Sequence, residues 1–291
     1  MYPSNAPQTQ AGRPKKITVA DIRAAKADGR PITMSTAYDA LFGALMDEAG
    51  IEVVLVGDSV GMTTLGMDST VPVTMEEMLH HVRAVRRGCR YALVVGDLPF
   101  MSFNVSIEEA IRNAGRLVKE AGADCVKLEG GTHFAPTVAA IVKAGIPVQG
   151  HIGLLPQTAA AGGGFKVQGK SVDAVVQLIA DARALETAGA FSIILEAVPA
   201  EVGARVAEAV SIPVIGVGAG PDVDGQCVVM HDLLGLYDAF TPKFAKVYAK
   251  LRPLIVGALT EFRDEILDHS FPGPEHSYKM PTDAAEALKD L

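Results

Sequence analysis

A short aliphatic run closed by a glycine, an acid and a hydroxyl constrains this chain more than any other feature. It reads Val53-Val54-Leu55-Val56-Gly57-Asp58-Ser59. An unbroken β-branched and aliphatic run suits a strand covered on both faces, as in a parallel sheet. Polar residues at the carboxyl end of such a strand read as chemistry rather than scaffold. The same grammar returns. Strands are expected at Pro31–Thr36, at Ala92–Val95 before Gly96-Asp97, and at Cys125–Glu129. Others are expected at Pro147–Gly150 before His151, at Phe191–Leu195 before Glu196, at Ile212–Gly218 and over Gln226–Met230.

Helical patterns separate these runs. They cover Ala37–Met46, Met75–Arg87, Ile107–Lys119, Phe134–Lys143, Val172–Ala188 and Ala200–Val210, with Val19–Ala27 ahead and Lys243–Leu267 behind. About eight β-then-α units without an interdomain linker predict one (β/α)8 barrel. The expected layout is a lead-in at 1–16, a barrel domain at 17–270 and a Pro- and Gly-punctuated tail at 271–291. Two connections, Val60–Pro72 and Gly153–Gly169, are long enough to be ligand loops.

Composition removes several classes of function. A formal net charge of -8 disfavours nucleic acid, whose phosphates need a basic surface. No apolar run approaches the roughly 20 residues of a bilayer span. Cys89, Cys125 and Cys227 are far apart and form no zinc or disulfide pattern, which suits a reducing cytoplasm. The lead-in lacks the apolar segment of a signal peptide. A mean hydropathy of +0.25 is high for a monomer and suggests apolar surface buried between subunits.

Three acids, Asp58, Asp97 and Glu129, end the second, third and fourth strands and should face one pocket. Each alone could cap a helix or pair with a base. Together they would be costly without compensation, and an all-oxygen set points to magnesium. Lys127 lies two residues before Glu129 and shares its face. It either neutralises the acids or holds a substrate carboxylate or oxyanion. His151 at a strand end is a candidate substrate contact, and Ser59 a hydroxyl contact to ligand. Glu196 stands in apolar surroundings that should raise its pKa, as suits a general base. The alternative is an acid at the start of the next helix. Gly216-Val217-Gly218-Ala219-Gly220 lacks dinucleotide spacing and reads as a tight turn. His80 and His81 read as solvent-side.

These residues also fall into familiar strings. Val56-Gly57-Asp58-Ser59-Val60-Gly61-Met62, Asp97-Leu98-Pro99-Phe100-Met101 and Val126-Lys127-Leu128-Glu129-Gly130-Gly131 resemble signatures of the ketopantoate hydroxymethyltransferases. Gly150-His151-Ile152-Gly153-Leu154, Lys166-Val167-Gln168-Gly169, Leu195-Glu196-Ala197-Val198-Pro199 and Pro242-Lys243-Phe244-Ala245-Lys246 extend the match over about residues 17–278. The resemblance implies a barrel of the phosphoenolpyruvate mutase/isocitrate lyase type and a decameric assembly. It implies a magnesium site at Asp58, Asp97 and Glu129, and ketoacid contacts at Asp58, Ser59, Asp97, Lys127 and His151. Glu196 would be the base, and 5,10-methylenetetrahydrofolate the one-carbon donor. A lyase of the same superfamily is the nearest alternative. Such lyases commonly carry a reactive loop cysteine, and neither long loop here has one. A non-catalytic barrel is the other.

Overall fold

The computed structural model describes residues 15–161, 163–237 and 241–290. Most of the lead-in, residues 1–14, and Gly162 of the glycine run lie outside the described residues. Eight parallel strands close into a barrel in sequence order: β1 (Ile32–Thr36), β2 (Val53–Val56), β3 (Leu93–Asp97), β4 (Cys125–Glu129), β5 (Val148–Gly153), β6 (Ser192–Glu196), β7 (Val214–Val217) and β8 (Gly225–Val228). The closing pair sets Ile32 beside Gly225 and Ser35 beside Val228.

Strand alternation divides the apolar residues into two cores. Val54, Val94, Val126, Val148, Ile193 and Val214 point outward and pack on the ring of helices. Leu55, Val95, Cys125, Ile194, Ile215 and Cys227 point inward and fill the barrel. The helix Val19–Ala27 adds Ile22 and Ala25, both fully buried, to this inner core. The Ile22 side chain contributes about 1.5–3 kcal/mol on leaving water. Lys26 Nζ ties that helix down through Asp224 at 2.9 Å and the Ala207 carbonyl at 2.6 Å.

Helix starts follow local chemistry. Thr74 accepts from the Glu77 N–H, and the Glu77 carboxylate accepts in return from the Thr74 N–H, a reciprocal cap that opens Met75–Gly88. Ser106 and Ser171 cap the helices Ile107–Lys119 and Val172–Thr187 in the same sense, through their hydroxyls.

Some boundaries differ from the sequence reading. The last strand is Gly225–Val228, one residue earlier at its start and two shorter at its end. Only Leu251–Leu267 of the predicted Lys243–Leu267 helix is helical; Pro253 sits in its first turn, where the missing N–H costs nothing. The loop after β2 opens with a short helix, Val60–Thr63. The tail contains a further helix, Thr282–Ala287. His81 is half-buried, with Nδ1 2.7 Å from the Tyr38 carbonyl, because its helix turns that face toward the barrel mouth.

The helices Ala40–Glu48 and Met75–Gly88 approach closely at Gly88. A Cβ there would stand 2.1 Å from the Ala40 carbonyl oxygen and 2.8 Å from the Ala44 nitrogen. Alanine favours a helix over glycine by about 1 kcal/mol, but both clashing atoms are backbone and cannot swing away. We therefore expect Gly88→Ala to destabilise the fold by about 1–3 kcal/mol, read from the midpoint of chemical unfolding.

Candidate active site

Strand register assembles the site. Asp97 of β3 lies beside Lys127 of β4, and Glu129 of β4 beside His151 of β5. Gly153 of β5 lies beside Glu196 of β6. Inward-facing positions at the carboxyl ends therefore bring Asp97, Lys127, Glu129, His151 and Glu196 to one mouth, with Asp58 and Ser59 just beyond β2. Asp58, Asp97, Lys127, Glu129 and His151 are all nearly fully buried. One layer below, Gln149 donates to the Ser192 hydroxyl at 2.9 Å and floors the site with a neutral pair.

Lys127 Nζ approaches Asp97 Oδ1 to 2.9 Å. Asp97 Oδ2 accepts from the Asp58 N–H at 3.1 Å. On its other side, Lys127 Nζ is 3.2 Å from His151 Nδ1. An ammonium has no acceptor, so Nδ1 must accept and the imidazole proton sits on Nε2. That nitrogen faces Glu196, 3.2 Å from Oε2, although the angle falls short of an aligned hydrogen bond. Ser59 shares a 2.8 Å hydrogen bond with the buried Tyr38 hydroxyl.

One ammonium stands among four carboxylates, and the titration of each group reflects it. Burial, partly opposed by Lys127, raises Asp58 and Glu129 and pushes Asp97 up to about 7. Burial also pushes Glu196 up to about 7. Burial works against the Lys127 charge, yet Asp97, Glu129 and Asp58 outweigh it and hold the ammonium above the usual lysine range. Burial and the neighbouring Lys127 keep His151 neutral, well below the usual histidine value.

The donors fit a hard cation. All are carboxylate oxygens, and one of them, Glu129 Oε1, is buried with no hydrogen-bond partner among the described residues. Among the described residues, no three His, Cys, Asp or Glu side chains close into a ready-made cage.

Sequence reading missed two participants. Tyr38 follows β1 at the start of a stretch that reads as helical. Gln157 lies in the loop after β5, where the irregular backbone offers no periodicity; it is 3% exposed and bonded to Asp58 and Glu129. The first turn of that loop is seated on the acids.

A family model described as ketopantoate hydroxymethyltransferase matches residues 16–274. The chain belongs to the ketopantoate hydroxymethyltransferase family. It is 58% identical over 266 residues to 3-methyl-2-oxobutanoate hydroxymethyltransferase of Heliobacterium modesticaldum, covering 91% of this chain and 96% of the relative. It is 54% identical to the protein of that name from Syntrophobacter fumaroxidans, covering 95% and 98%. Among solved structures, phosphonopyruvate hydrolase complexed with oxalate and magnesium aligns with a TM-score of 0.58 at 16% identity, over 94% of this chain and 95% of that one. The superfamily member 2,3-dimethylmalate lyase aligns with a TM-score of 0.54 at 14% identity, over 94% and 98%. The expected (β/α)8 barrel is thus the one observed.

The Glu196 value has a consequence for stability that needs no substrate. A carboxyl whose folded value lies near 7, above its ordinary 4.5, costs the fold stability as pH rises between the two. With divalent ions chelated, Glu196→Gln should raise Tm over wild type more at pH 8 than at pH 5. An equal shift at both would show that Glu196 ionises freely in the fold.

Proposed function

We infer that this enzyme transfers a hydroxymethyl group to 3-methyl-2-oxobutanoate, giving ketopantoate for pantothenate synthesis. The one-carbon unit comes from 5,10-methylenetetrahydrofolate, and water completes the hydroxymethyl group as tetrahydrofolate leaves. Family membership supports the reaction. The observation that carries the mechanism is a half-buried carboxyl, Glu196, set across the mouth from three clustered acids and pushed up to about 7.

Asp58, Asp97 and Glu129 would hold magnesium, which when bound polarises the keto oxygen and so acidifies the neighbouring C–H. Lys127 balances the buried acids and offers its one remaining donor to the ketoacid carboxylate. Ser59, fixed by Tyr38, presents its hydroxyl at the same mouth. Glu196 takes the proton from the carbon beside the keto group, since a base with a value near 7 is half ionised at neutral pH. His151, neutral and carrying its proton on Nε2, faces Glu196 and orients it. The carbanionic carbon then attacks the methylene carbon of the folate.

The helix Leu251–Leu267 buries none of its residues and exposes Leu254, Ile255, Leu259 and Phe262, which supports a homo-oligomer. The decamer of the family is the assembly we propose. Among the described residues no helix is long and apolar enough to cross a membrane. We place the enzyme in the cytoplasm and read residues 17–270 as its catalytic domain.

Three outcomes test this reading. In deuterated buffer with magnesium, proton NMR should show exchange at the carbon beside the keto group. Glu196→Gln should slow that exchange by a factor of 10²–10⁴, the usual contribution of a general base; exchange within twofold of wild type would exclude Glu196. The wild-type rate should fall about tenfold per pH unit below about 7, because the ionised carboxylate is the active form. Asp58→Ala should abolish the magnesium dependence.

A further inference from the structure

Gln157 makes three hydrogen bonds, and two of them go to the acids of the site. Its backbone N–H donates to Glu129 Oε2 at 3.1 Å. Its side-chain Nε2 donates to Asp58 Oδ2 at 2.8 Å and to the Leu98 carbonyl at 2.9 Å. The orientation of the amide follows from its partners. Turned over, it would set Oε1 against two oxygens that can only accept.

The chain is steered there by Gly153 at the end of β5. Its φ of +94° turns the backbone, and a Cβ would meet the Glu196 carbonyl oxygen at 2.3 Å. The next residue, Leu154, donates its N–H to that same carbonyl at 2.9 Å. Four residues later the chain has crossed from the Glu196 side of the mouth to the acids. Gln157 is buried, so this contact is part of the packed structure.

The distribution of oxygens gives the arrangement its meaning. Gln157 ties back one oxygen of Glu129 and leaves the other, Oε1, buried without a hydrogen bond. It likewise ties back Oδ2 of Asp58. Its own Oε1 is buried with no partner, a second acceptor in this corner that no protein donor satisfies. A carboxylate held at one oxygen can turn only its other oxygen to a cation, and outer hydrogen bonds of this kind set both ligand direction and affinity.

We propose that Gln157 is a positioning residue for the cation site, orienting Asp58 through its side-chain amide and Glu129 through its backbone N–H. It touches neither ketoacid nor folate in this role. The proposal rests on the reading of Asp58, Asp97 and Glu129 as cation ligands, and its test separates the two.

The test measures Mn²⁺ binding to the full-length protein from the electron paramagnetic resonance signal of the free ion, so activity is not required. Gln157→Met keeps the bulk of the side chain and removes its donors; Gln157→Ala is the second variant, and Asp58→Ala the control. Gln157→Met should weaken binding by about 10–100-fold with one site per chain retained, the range seen when outer-shell partners are removed. In the exchange assay it should raise the magnesium concentration needed for half-maximal rate by a like factor, while the rate at saturating magnesium stays within a few-fold. A merely structural glutamine would lower Tm or the number of sites and leave the dissociation constant at its wild-type value. That result in both Gln157 variants, beside lost binding in Asp58→Ala, overturns the proposal alone. Wild-type affinity in Asp58→Ala overturns the cation reading, and the proposal with it.

Discussion

The site depends on one buried ammonium. Lys127 stands 2.9 Å from Asp97 and 3.2 Å from His151, nearly excluded from water. Without it, four carboxylates at the barrel mouth would meet with no positive charge, and burying even one unpaired charge is strongly unfavourable. With it, compensation is only partial, and the remaining acids are held above their ordinary values. That imbalance supports both a site for a divalent cation and a base that works near neutral pH. A single lysine thus shapes two functions: it lets the acids coexist, and through His151 Nδ1 it sets which imidazole nitrogen faces Glu196.

A barrel is suited to hold such a group because its interior is divided by layer. Side chains of alternate residues point inward, so each strand delivers apolar filling low down and polar chemistry at its carboxyl end. On β4 the inward series is Cys125, Lys127, Glu129. On β5 it is Gln149, then His151, and on β6 Ser192, Ile194, Glu196. The neutral Gln149–Ser192 pair lies one layer below the charged groups. Helices on the outside supply rigidity through close contacts, as at Gly88.

How much of this could be read from residues alone differs from element to element. The aliphatic run at Val53–Val56 carried its own assignment, since few other structures bury such a run on both faces. The reciprocal cap at Thr74 and Glu77 and the serine caps at Ser106 and Ser171 mark helix starts by chemistry within four residues. Lys127 and Glu129 could be placed on one face because strand period is two. Helical pattern was less exact near residue 243, where apolar and basic residues follow a helical rhythm but the chain turns into a helix only at Leu251. His81 reads as solvent-side with His80, but its helix turns it toward the Tyr38 carbonyl.

The sequence by itself determined the alternation of strand and helix, the polar residues that end each strand, and hence that Asp58, Asp97, Glu129 and Glu196 would share a mouth once a barrel closed. Local propensity, period and capping all act within a few residues, so they leave a legible trace. Only the tertiary structure decided the pairings across that mouth: Lys127 on Asp97 rather than on Glu129, Tyr38 on Ser59, and Gln157 reaching Asp58 and Glu129 from a loop beyond β5. Those contacts join residues 21 to 99 positions apart. They are set by strand register and by the turn at Gly153, and nothing repeating in the chain records which side chain an irregular segment will lay over a site.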